Sequence, residues 1–270
     1  KHYDLGNDFF SKWLDKSLTY SSAIYMDQNE SLEKAQRNKY QKLIDLLKNK
    51  EGNKVLEIGC GWGGFSEYLA KNYNVSIDCI TISKKQFEFS KNRIAASGLD
   101  NKVNVKFLDY RDVKDKYDNI ASIEMIEAVG ENYLDKYFGT IKNSLKSNGT
   151  AAIQGITISD NLFERYRRSE DFIQKYIFPG GFLPSEKFMK QLIKKHNLSL
   201  DKINTYSDDY AKTLNIWKSN FLNAWKNISP LGFDEAFKRM WEFYLSYCEA
   251  GFKSKNINLI QFSMSNNQSV

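Results

Sequence analysis

The chain has 270 residues, with 39 Lys and Arg against 33 Asp and Glu, a net charge of +6, 41% hydrophobic residues and 14% aromatic residues. So much Phe, Tyr and Trp can bury enough apolar surface to offset the ordering entropy, which excludes intrinsic disorder. No apolar run approaches the ~20 residues of a membrane-spanning helix. Cys60, Cys79 and Cys248 are scattered, so neither a disulfide framework nor a metal site is expected, and a reducing compartment is the simplest reading. The lysine-dense stretches carry helical periodicity and read as solvated helix faces. As a functional signal they point to weak attraction to nucleic acid or to acidic lipid headgroups. The sequence starts at Lys1-His2-Tyr3-Asp4 with no initiator Met and no signal segment, so it is expected to begin inside a longer protein or after a removed segment.

In chain order, Leu32, Ala35, Tyr40, Leu43, Ile44 and Leu47 predict an amphipathic helix over about 30–50. A short apolar strand at 55–58 runs into Gly59-Cys60-Gly61-Trp62-Gly63-Gly64, and a helix follows at 65–72. A second strand is expected at 75–82 and a second helix at 83–97, ended by Gly98 as a C-cap. Strands at 103–108 and 119–123 come next, then a helix over 132–145 closed by Gly149, and a fifth strand at 151–158. The stretch 160–206 breaks the rhythm and reads as a mostly helical insertion, with a helix at 234–253 and a closing strand at 258–264. Strands alternating with helices predict a doubly wound α/β domain with a mostly parallel sheet. With no Gly/Ser linker and only three prolines, a single domain is expected, with residues 1–50 as an N-terminal cap.

Glycines between a buried strand and a helix let backbone approach a ligand closely, beside the unpaired N–H groups of the helix start. The spacing is not that of the dinucleotide fingerprint, and no Gly-Lys-Ser/Thr follows to make a P-loop. Glu57 before the loop and Asp109-Tyr110 after the third strand favour an adenosyl ligand carrying positive charge and would repel a pyrophosphate. The pattern resembles the S-adenosylmethionine-dependent methyltransferases. Many of these place an acid at the end of the second strand, where this chain has Thr81-Ile82-Ser83; Thr81 and Gln86 are expected to take over its hydrogen-bonding role.

The match then narrows. His2 to Phe10, Thr19-Tyr20-Ser21-Ser22-Ala23, the glycine loop, Thr81 to Gln86, Ser122 to Gly130, Ile177 to Ser185, Asp209 to Leu214 and Tyr247 to Phe252 run in order over nearly the whole chain. Together they resemble the cyclopropane fatty acid synthases and their mycolic-acid relatives. That resemblance implies methyl transfer from S-adenosylmethionine to a cis double bond of a phospholipid acyl chain, then loss of a proton and closure of a cyclopropane. It implies a cofactor site of Tyr20, Ser21, Glu57, Gly59, Cys60, Gly61, Gly63, Thr81, Ser83, Gln86, Asp109, Tyr110 and Arg111. It also implies a bicarbonate ion held by Glu127, the backbone of Ile156, Tyr210, Ser22 and Gln154, the last two standing where the family has cysteine and histidine. Ser22 is expected to offer its hydroxyl and Gln154 its amide, and neither titrates near neutrality as histidine does. That departure keeps a methyl- or methylene-branched product open beside the ring. Cys248 matches a position assigned as an active-site thiol, although the chemistry needs none and a structural cysteine fits equally.

The resemblance makes a phospholipid surface the expected partner, not nucleic acid. It places the protein in the cytoplasm against the inner face of the membrane and leaves a homodimer open. The rivals are a small-molecule N-methyltransferase and a lipid-binding module without catalysis. The segment 160–206, with the first ~25 residues, is expected to cover the acyl site.

Overall fold

The computed structural model describes residues 5–267; His2, Tyr3 and Asp4 of the first motif lie outside them. Seven strands form one sheet in the order β3-β2-β1-β4-β5-β7-β6. The strands are β1 (Lys54–Ile58), β2 (Ser76–Thr81), β3 (Val103–Phe107), β4 (Tyr117–Ile123), β5 (Leu145–Ile158), β6 (Ser199–Thr205) and β7 (Ile257–Ser265). β1 through β5 pair in parallel, whereas β7 runs antiparallel between β5 and β6. This is the expected doubly wound, mostly parallel α/β sheet.

Side-chain alternation sends neighbouring residues of a strand to opposite layers. On β1, Val55 packs under α2 (Leu32–Leu47), α3 (Gly64–Asn72) and α4 (Lys84–Ala96), while Leu56 and Ile58 join the layer of α5 (Glu131–Ser144) and α7 (Glu186–Lys195). A third cluster is dominated by aromatic rings. It joins α1 (Asn7–Ser11), α8 (Ser207–Ile228) and α9 (Glu235–Lys253) through Phe9, Phe10, Trp13, Trp217, Phe221 and Trp241. This cluster stands over the carboxyl ends of the central strands, where ligands of open α/β sheets bind. α1 also reaches the glycine loop directly, because Trp62 Nε1 donates to Asn7 Oδ1 at 2.8 Å.

Two expectations change. The stretch 160–206 is not mostly helical: it holds α6 (Asp160–Tyr166), a π-helical turn Ile173–Ile177, α7 and the whole of β6. β6 is an edge strand whose residues are mostly exposed, so it lacks the apolar run by which a central strand is read. Gly149 is not a helix cap. It lies within β5, where a side chain would meet the carbonyl of Asp118 at 2.9 Å and close the gap to β4.

Phe221 is fully buried and makes edge contacts to Phe9 and Trp13. Phe221→Ala should therefore cost about 3–5 kcal/mol in urea unfolding, and a loss below about 1 kcal/mol would mean the ring cluster is loosely packed.

Candidate active site

A cavity of ≈ 1790 Å³ opens over the carboxyl ends of β1, β2 and β4 and extends past β5 to α6 and α9. Cavities that hold one small ligand usually measure about 300–1,000 Å³, so this one has room for a cofactor and a second ligand end to end. Its cofactor half is the glycine loop. Gly59, Gly61 and Gly63 all have positive φ, at 78°, 53° and 81°. A side chain at Gly59 would meet Met125 Cγ at 2.8 Å, whereas one at Gly61 would point into open space. Ser90 Oγ fixes the loop by donating to the Gly61 carbonyl at 3.0 Å.

Tyr20, Ser21, Glu57, Gly59, Cys60, Gly61, Thr81, Ser83, Gln86, Asp109, Tyr110 and Arg111 all line this half of the cavity, while Gly63 packs against Ser90 instead. Glu57 is buried, accepts from Ser66 Oγ, and its carboxyl is pushed up to about 7 by burial. Thr81 Oγ1 donates to Gln86 Oε1 at 2.9 Å, which leaves the Gln86 amide hydrogens for a ligand hydroxyl. The acid within β2, Asp78, faces away from the site and bonds Tyr117 and Asn104. Arg111 pairs with Asp109 at 2.7 Å and lies over the Tyr133 ring.

The polar cluster is arranged differently from the expected anion cradle. Its hub is Glu124, which sequence reasoning left out of the site. Glu124 leaves β4 in the left-handed region, with φ 48°, a strained conformation for a non-glycine residue that is often met at functional sites. Its Oε1 accepts from Ser22 N at 2.8 Å and from Gln154 Nε2 at 2.8 Å, and its Oε2 accepts from Tyr210 Oη at 2.5 Å. Ser22 thus contributes its backbone, not its hydroxyl, which turns to the Ala23 carbonyl. Ser22 and Gln154 are fully buried behind Glu124 and do not line the cavity. Glu127, one 3₁₀ turn further on, accepts from the Ile156 N–H at 2.5 Å. Among the described residues nothing bonds its Oε2.

The charges explain the proton affinities. Enclosure raises both carboxyls, and the neighbouring Glu124 adds to the effect at Glu127, which is pushed up to about 8. The bonds from Tyr210 and Gln154, and the charge of Lys39, oppose the rise at Glu124. Lys39 is a second residue that the sequence reading missed. It is fully buried on α2 and donates to Ser21 Oγ at 2.7 Å, and burial lowers its ammonium to about 7. The network closes through Gln261, whose Nε2 donates to the Lys39 carbonyl and to Gln154 Oε1. Tyr210 stacks on Phe252 at 4.3 Å, and Tyr20 bonds Tyr244, hydroxyl to hydroxyl, at 2.9 Å, so aromatic faces surround the hub. Cys248 lines the cavity, but burial pushes its thiol up to about 12. A thiol raised in this way is protonated near neutrality.

A doubly wound sheet with a glycine loop at its carboxyl edge, an acid beside it and a deep apolar extension defines the class of S-adenosylmethionine-dependent methyltransferases. The mycolic acid cyclopropane synthetase profile matches residues 1–262, and the chain belongs to that family, which also holds the cyclopropane fatty acid synthases. It is 38% identical over 97% of its length to the tuberculostearic acid methyltransferase UfaA1 of Mycobacterium tuberculosis. It is 40% identical, again over 97%, to the cyclopropane-fatty-acyl-phospholipid synthase of Escherichia coli K12. The chain spans 63% and 65% of the lengths of these two relatives. The crystal structure of mycolic acid cyclopropane synthase CmaA1 complexed with SAH and CTAB superposes with a TM-score of 0.92 at 27% identity, covering 98% of this chain and 95% of that one.

The raised carboxyls set a pH dependence of stability. Glu127 titrates near 8 in the folded chain against 4.5 when unfolded, so between those values the native state binds the extra proton. The contribution of Glu127 to stability is then full below about 4.5 and is lost as pH rises through about 8. Glu127→Gln removes this dependence, so its melting temperature should gain on the parent's steadily across that window. A constant difference between the two proteins would show that Glu127 ionises normally.

Proposed function

We propose that the protein transfers a methyl group from S-adenosylmethionine to the cis double bond of an unsaturated phospholipid acyl chain, and that Glu124 accepts the proton lost afterwards. The observation that carries this reading is the Glu124 carboxylate, fixed by three hydrogen bonds in the floor of a cavity with room for two ligands. Two of the relatives support the substrate class by their names, as a cyclopropane-fatty-acyl-phospholipid synthase and a tuberculostearic acid methyltransferase.

The glycine loop, Glu57 and the Thr81–Gln86 pair fit S-adenosylmethionine, and Gly61 opens onto the cavity without a side chain in the way. Bound there, S-adenosylmethionine supplies an electrophilic methyl group. The alkene π pair forms the new C–C bond, the sulfonium C–S bond breaks, and the positive charge passes to the neighbouring chain carbon. The faces of Tyr20, Tyr210 and Phe252 suit such a cation. The enclosed site keeps water from trapping it. A carboxylate raised toward neutrality by enclosure and oriented by Tyr210 is a competent base.

Bicarbonate does not fit this site. The donors that would hold it, at Ser22, Gln154 and Tyr210, are already engaged by Glu124. No step runs through bicarbonate.

If Glu124 takes a proton from the added methyl while the cation stands beside that carbon, the C–H pair closes a cyclopropane. Ser22 and Gln154, standing where the family has cysteine and histidine, motivate a second outcome. A hydride shift moves the cation onto the methylated carbon, and the same deprotonation then leaves a methylene branch. The two products are isomers, but only the methylene takes up hydrogen on mild catalytic reduction.

The test is to incubate the protein with S-adenosylmethionine and monounsaturated phospholipid vesicles, then analyse the fatty esters by mass spectrometry before and after mild catalytic reduction. An acyl product one methylene heavier supports the reading, and soluble amines methylated in its place would overturn it. Glu124→Gln should lower turnover roughly 10²–10⁴-fold with S-adenosylmethionine affinity nearly unchanged. Full turnover in that variant would move the base elsewhere.

A further inference from the structure

The acyl half of the cavity reaches the surface between α6 and α9, where its rim is formed by exposed Arg165, Ser169, Tyr247, Ala250 and Ser254. Beside this rim stands an unusual group of rings. Phe243 and Tyr176 are 52% and 55% exposed, and Tyr247 is 43% exposed. Phe172 holds them together, with ring centroids 4.7 Å from Phe243, 5.3 Å from Tyr176 and 6.2 Å from Tyr247. The spacing on α9 is deliberate in its effect: 243, 247, 250 and 254 fall on one helical face, so a single stripe runs from open solvent into the cavity lining. The π-helical turn Ile173–Ile177 presents Tyr176 across from it.

Large rings left in water at a cavity mouth need an apolar partner. Resting on the acyl-lipid reading above, we infer that this aromatic lip is the surface by which the protein enters a phospholipid bilayer, seating the cavity mouth at the level where acyl chains begin. Tyrosine and phenylalanine rings suit that level, being apolar in body and, for tyrosine, polar at the tip. The residues close in sequence to the rings and the rim carry both signs, with Arg168, Lys175, Arg239 and Lys253 against Glu170 and Glu242. Ring insertion, not charge, therefore carries the binding, which should change little with salt, unlike the attraction of a purely basic patch. Phe243 and Tyr176 lie outside the cavity lining, so removing them leaves the chemistry in place.

The experiment compares the parent chain with Phe243→Ser/Tyr176→Ser. The lipid is vesicles of monounsaturated phosphatidylethanolamine and phosphatidylglycerol, and binding is read by flotation at low and high salt. Each protein is also assayed on the same lipid dispersed in detergent, and its association state is read by sedimentation. The parent should bind at both salt concentrations. The double variant should lose about tenfold or more in vesicle binding and in vesicle turnover, with detergent-dispersed turnover unchanged. Equal vesicle binding by the two proteins, or binding that salt abolishes, would overturn the inference. So would a parent dimer that the variant disrupts, which would make the lip a contact between copies. Absence of turnover on dispersed lipid in the parent would instead remove the acyl-lipid reading, with vesicle binding still read separately.

Discussion

Glu124 sits at the end of a parallel strand with φ 48°, in a backbone region that an ordinary side chain occupies only when its surroundings over-determine it. Here they do. Ser22 comes from the N-terminal segment, Gln154 from β5 and Tyr210 from α8, and all three donate to one carboxylate. That convergence ties the cap, the sheet and the covering helices to a single point. Because a carboxylate without partners in such an enclosure would be strongly disfavoured, the donors fix its position as well as its charge. The aromatic cluster of α1, α8 and α9 supplies the walls around this point.

Behind the hub lies a second layer of buried polar groups that never touches the cavity. Lys39 holds Ser21, Gln36 Nε2 donates to the Ser21 carbonyl at 2.9 Å, and Gln261 joins Lys39 to Gln154. Ser21 lines the cofactor half and Ser22 bonds the hub, so one dipeptide connects cofactor and base. These donors fix the Ser21-Ser22 dipeptide and Gln154 in place, while the Oε1 atoms of Gln36 and Gln261 find no partner among the described residues. Lys39 also places a positive charge near Glu57 and Glu124, offsetting part of the cost of enclosing carboxyls together.

Much of this was legible in the sequence. Period changes located β1 to β5, the glycine loop announced the cofactor half, and the ordered motifs led to the family. β6 escaped because an exposed antiparallel edge strand has no apolar signature. Glu124 escaped because two acids three residues apart in Glu124-Met125-Ile126-Glu127 look equivalent on paper. The positive φ and the 3₁₀ turn are what aim one at Tyr210 and the other at the Ile156 N–H. Lys39 did leave a signal: it lies four residues from Ala35 and four from Leu43, on the apolar stripe of α2, where a solvated lysine does not belong.

The central claim is that a carboxylate of the chain occupies the place of a free anion. Initial rates measured against added bicarbonate, for the parent and for Glu124→Gly, test it most directly. Glycine accepts the positive φ and vacates the three donors, so the account predicts a flat response in the parent and a low rate in the variant that rises with bicarbonate. A parent rate that depends on bicarbonate, or a variant fully active without any added anion, would contradict it.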